Sequence, residues 1–176
     1  ASYRPFEQAA AEQLAIARQA KDPAQMLGVA QVYPNARVAP EAMLAAAEAF
    51  ESAGKFRYAT QVLSEVYRKY HEQTDRARII EAQARNYLKL PGHVGIAIGR
   101  LMEGNKLQPG VQLKGALALP DGQKIENVSF GAAAEILQRF SARLAAAALP
   151  DFNIPPWKQG KRRKAFLPET PDSIIA

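Results

Sequence analysis

Residues 33–63 read YPNARVAPEAMLAAAEAFESAGKFRYATQVL, and residues 70–101 read YHEQTDRARIIEAQARNYLKLPGHVGIAIGRL. Laid over each other at an offset of 37, Tyr33 meets Tyr70, and Ala45, Ala47 and Phe50 meet Ala82, Ala84 and Tyr87. One position further out of register, Ala59 and Leu63 meet Ala97 and Leu101. Each block holds two apolar stretches of helical period separated by glycine. A unit of this length cannot bury its own apolar stripe, so recurrence predicts helix pairs stacked into an all-α solenoid. Solenoids of this kind bind, brace or scaffold far more often than they catalyse.

Working outward, Phe6, Ala10, Leu14 and Ala17 form one stripe of a helix over residues 3–20. Asp22 is placed to cap a second helix whose first turn accepts Pro23, and Pro34-Asn35 stops that helix after Tyr33. Pro40 opens a third, with Gly54 at its left-handed C-cap. The fourth, over 55–70, sets Tyr58, Ala59, Val62, Leu63, Val66 and Tyr67 on one face. A third pair, 75–90 and 94–104, breaks at Pro91-Gly92 and is striped by Ile79, Ile80, Ala84, Tyr87, Ile98, Leu101 and Met102. Gly95 and Gly99 in its second helix are expected to admit a close neighbour, at a propensity cost of about 1 kcal/mol each. Carboxylates such as Glu48 and Glu51 read as solvated helix faces.

Beyond residue 105 the pattern changes. Leu117-Ala118-Leu119 and Ile125-Glu126-Asn127-Val128 flank the turn-former Pro120-Asp121-Gly122, which predicts a short β-hairpin. Ser129 caps a last helix over 130–148, with Ala133, Ile136, Leu137, Phe140 and Leu144 inward. Five prolines after residue 149 then exclude a long helix and predict an extended tail. The chain divides accordingly into repeats (1–105), hairpin and capping helix (106–148) and a Pro-rich basic tail (149–176). Starting without Met and ending on Ile174-Ile175-Ala176, it reads as a piece of a longer protein.

The net charge of +6 is spread evenly: Lys/Arg exceed Asp/Glu by about two in each of those three segments. Diffuse charge of this kind favours solubility over a nucleic-acid groove, so nucleic acid is an unlikely partner. Locally, Lys158, Lys161, Arg162, Arg163 and Lys164 crowd together beside Trp157. They are the candidate anion-binding residues, suited to phosphates of a membrane surface or nucleic acid. The competing reading makes Phe152, Trp157 and Phe166 anchors that dock the tail on the solenoid. Zero cysteines excludes disulfides and thiolate chemistry. His71 and His93, both at helix junctions, have no ligand-spaced neighbours, and no phosphate loop or nucleophile elbow is present. Catalytic, cofactor-binding and metal-binding residues are therefore expected to be none. Leu167-Pro168-Glu169-Thr170 lacks the glycine and apolar stretch that a sortase signal needs. On the repeats, Arg57, Arg68 and Arg85 are the candidate partner-binding residues, facing outward to read an acidic peptide.

The second helix pair resembles the tetratricopeptide family. Counting from Pro40, a small residue (Ala47), an aromatic (Phe50), Gly54, a small residue (Ala59) and a large one (Leu63) fall where that family places them. Ala84, Tyr87, Ala97 and Leu101 repeat the set, with Pro91-Gly92 replacing the single glycine. The link Tyr33-Pro34-Asn35-Ala36 is similar to the Tyr-Pro-Asn-Ser link of tetratricopeptide proteins of the bacterial envelope. More weakly, solenoid, hairpin, helix and tail together resemble the helical part of bacterial membrane-coat-like proteins that also carry β-propellers. These resemblances imply a non-catalytic scaffold in the bacterial periplasm or envelope, joined to a protein partner or to other domains of the same polypeptide.

Overall fold

The computed structural model describes residues 4–148. Seven helices follow one another there: α1 (Arg4–Gln19), α2 (Pro23–Val32), α3 (Ala39–Ser52), α4 (Phe56–Lys69), α5 (Arg76–Leu88), α6 (Val94–Leu107) and α7 (Phe130–Ala148). Each packs on the next from α1 to α7, and α1 also touches α3. Between α6 and α7 lies a two-stranded antiparallel hairpin, β1 (Leu117–Ala118) and β2 (Lys124–Ile125), in the register Leu117 to Ile125. The expected all-α solenoid of three helix pairs with hairpin and capping helix is the observed architecture.

Local chemistry sets the boundaries. Asp22 and Asp75 each accept from two backbone N–H groups of the helix they cap, at 2.8 and 3.4 Å and at 3.0 and 3.3 Å. Pro23 and Pro40 occupy first turns. At the end of α3, Gly54 adopts φ +71°. The Lys55 N–H bonds the Phe50 carbonyl at 2.8 Å, and the Gly54 N–H bonds that of Glu51 at 2.9 Å. Those two bonds form a Schellman cap, which an L side chain at position 54 would strain.

The repeat is visible in burial. Ala47 and Ala84, Ala59 and Ala97, and Leu63 and Leu101 are all buried, whereas Ala45 and Ala82, and Phe50 and Tyr87, are all half-buried. Successive units also touch at the repeated link, since the Tyr70 hydroxyl donates at 2.9 Å to the carbonyl of Pro34, which follows its counterpart Tyr33.

Several side chains expected inside lie outside. Phe6, Tyr58, Met102, Ile136 and Leu144 are exposed. Tyr58 stacks on Phe50 at the end of its pair, with ring centroids 5.6 Å apart. Past Phe140 the flank of α7 loses its cover, and residues 142–147 are exposed. Periodicity reports which way a side chain points; a neighbouring helix must still be there to cover it. Gly95 and Gly99 face open space and admit no close neighbour. The close approach occurs at Gly104, where a Cβ would stand 2.5 Å from the Phe130 ring and 3.1 Å from Ile80.

Candidate partner-binding groove

Helices α1, α3 and α5 are tied together by ion pairs. Arg18 of α1 meets Glu41 of α3 at 2.8 Å, and Glu48 of α3 meets Arg78 of α5 at 2.6 Å. Glu51 holds Arg85 through two parallel bonds, one of them 3.0 Å long, and also accepts from the Asn86 amide at 3.0 Å. A two-pronged guanidinium–carboxylate contact fixes both side chains more firmly than a single exposed pair does. Burial alone would raise the Glu51 carboxyl, but Arg85 and Asn86 outweigh it and hold the group below its ordinary range.

Glu81 closes the arrangement. It is buried on α5 and accepts the backbone N–H groups of Lys114 at 2.8 Å and Gly115 at 2.7 Å. The segment leading into β1 is thereby clipped over α5. Lys114 reaches Asp75 at 2.8 Å, and this ammonium keeps the Asp75 carboxyl below its ordinary range. Between α3, α5 and this clip lies a groove of about 280 Å³ with a floor of Leu44, Ala47, Leu63 and Ala82. Its polar walls are Glu48, Glu51, Glu81, Arg78, Arg85 and Lys114.

Comparison with protein-family models, curated proteins and solved structures finds no match to this chain. The groove is therefore read from its own chemistry.

The structure separates the three candidate arginines. Arg85 lines the groove and is committed to Glu51. Arg57 and Arg68 are exposed on α4 outside the groove, and helical geometry puts them on one stripe roughly 16 Å apart. Lys158, Lys161, Arg162, Arg163 and Lys164 lie outside the described residues, as do Phe152, Trp157 and Phe166. Glu51 departs from its solvated reading and is half-buried, because α5 supplies a guanidinium that no spacing within α3 reveals. Sequence reasoning also missed Glu81. Its signal was present, for it shares the inward stripe of Ala77, Ala84 and Leu88 at helical spacing. A carboxylate there requires donors from elsewhere.

His71 lies 4.0 Å from Glu72, and His93 stacks on Tyr87. Among the described residues no group of three or more His, Asp or Glu side chains is arranged to hold a metal ion. Nor is any helix among them long and apolar enough to cross a membrane.

Proposed function

We propose that this chain is a tetratricopeptide-like, non-catalytic scaffold that holds a protein segment in the groove between α3 and α5. The reading places it in a larger envelope-associated or membrane-coat-like assembly. The observation that carries it is the groove's construction: an apolar floor between walls whose charges are already paired or hydrogen-bonded. Such walls need little reorganisation when a ligand arrives, which lowers the ordering cost of binding. With Arg85 neutralised by Glu51, recognition falls to the floor and to backbone groups, so the fitting ligand is a short segment with a small apolar anchor. General attraction to acidic peptides is not required.

Site-specific photo-crosslinking tests this directly. A photoreactive side chain at Leu44 should form a discrete adduct with a partner in cells, and Ala82→Phe, which fills the floor, should abolish it. Adducts that form from Arg57 or Arg68 on α4 while Leu44 stays unmodified would place binding on the opposite helix layer and sink the reading.

A further inference from the structure

A second, larger groove opens beyond the C-terminal end of α5, one helical turn from the first. It lies among the α5–α6 turn, the hairpin and the last turns of α7, and its volume is about 770 Å³. Leu88, Val94, Leu119, Pro120, Leu144 and Ala145 are among its lining, and Lys89 is the one charged residue among its lining residues. Ser141, Leu144 and Ala145 form the α7 wall at i, i+3 and i+4, and Leu144 remains 48% exposed. Helix α7 continues past its buried Phe140 to Ala148, and residues 142–147 are exposed.

The described part of α7 ends at Ala148, three residues beyond Ala145 of the groove wall. The next nine residues read LPDFNIPPW. They carry four large apolar side chains, Leu149, Phe152, Ile154 and Trp157, and one charge, Asp151. Pro150, Asp151 and Asn153 are the residue types that reverse a chain, as a return along α7 requires. Extended, nine residues span at most about 30 Å, more than enough to come back along two helical turns. A tether this short keeps the segment at an effective concentration of order millimolar. Phe and Trp bury about 150–250 Å² each, which suits a groove of this size.

We propose that residues 149–157 seat in the groove between α7, the hairpin and the α5–α6 turn, with Asp151 facing Lys89. Their occupancy covers the exposed end of α7. It also fixes the neighbouring basic run, Lys158 to Lys164, as a localised cationic patch beside this groove.

Trp157 is the chain's single tryptophan and reports on its own seat. In the full chain its emission should be blue-shifted, with acrylamide quenching several-fold weaker than in a free peptide of residues 149–164. Leu144→Asp, at a half-exposed position, and Phe152→Ala, beyond the described residues, should each restore peptide-like quenching with helical circular dichroism unchanged. Wild-type quenching equal to the peptide's overturns the proposal. Protection indifferent to both substitutions overturns it as well. Protection that disappears on dilution, together with a dimer in sedimentation, assigns the groove to a second copy and rules out the intrachain seat.

Discussion

At the scale of single residues, two positions carry more than their size suggests. Gly104 lets α6 meet Phe130 and Ile80, all within the buried core. A methyl group there has a rigid ring 2.5 Å away and no flexible side chain to push aside. Gly104→Ala should therefore destabilise by about 1–3 kcal/mol in spite of its better helix propensity; a denaturant midpoint at or above that of the parent would contradict the packing. Glu51 is the second. Its carboxyl lies below its ordinary value of 4.5 when folded, so the folded chain binds fewer protons there than the unfolded chain does. Its stabilisation is complete above that pH and is lost as pH falls through the lower folded value. Glu51→Gln should cost about 1.5–3 kcal/mol at neutral pH, the range for hydrogen bonds to charged groups. The difference from the parent should narrow on acidification below pH 4.5, and urea titrations at neutral and acidic pH read both effects.

At the scale of elements, α5 organises the molecule. One flank joins α3 through Arg78 and Arg85, and Glu81 clips the segment before β1. Its cap residue, Asp75, also pairs with Lys114 of that segment. Asp22 caps α2 and has only that task among the described residues. Asp75→Ala and Asp22→Ala should each cost about 0.5–2 kcal/mol, with Asp75 the larger loss. Thermal melts that ranked them the other way would mean the Lys114 contact adds nothing. The extent of α5 was legible to within two residues from its apolar period and the Pro91-Gly92 break, 75–90 against Arg76–Leu88. Its ties were not, because ionic partners 30 to 39 residues away in the chain leave no mark on its own periodicity.

On the scale of the whole molecule, the core falls into two apolar clusters. The first joins α1–α4 and ends at Ile79; the second runs from Ala77 through the hairpin to Phe140, and Tyr67 packs against both. Stability in such a stack is a sum of units and their interfaces, so damage should remain near where it is made. Amide hydrogen exchange in Gly104→Ala should accelerate through α5–α7 while α1–α4 stays near the parent; uniform acceleration would show one cooperative core. The sequence by itself determined the seven helices, the caps at Asp22, Gly54 and Ser129, the hairpin turn, and the repeat that sets matched residues at matched depth. Those features depend on backbone propensity and apolar period, both written within one or two helical turns. Only the tertiary structure decided that Arg85 is spent on Glu51, that Glu81 clips a distant loop, that Gly104 and not Gly95 or Gly99 meets a neighbour, and where the grooves open. Each of these depends on which remote side chain arrives opposite, and that is fixed by how the helices stack.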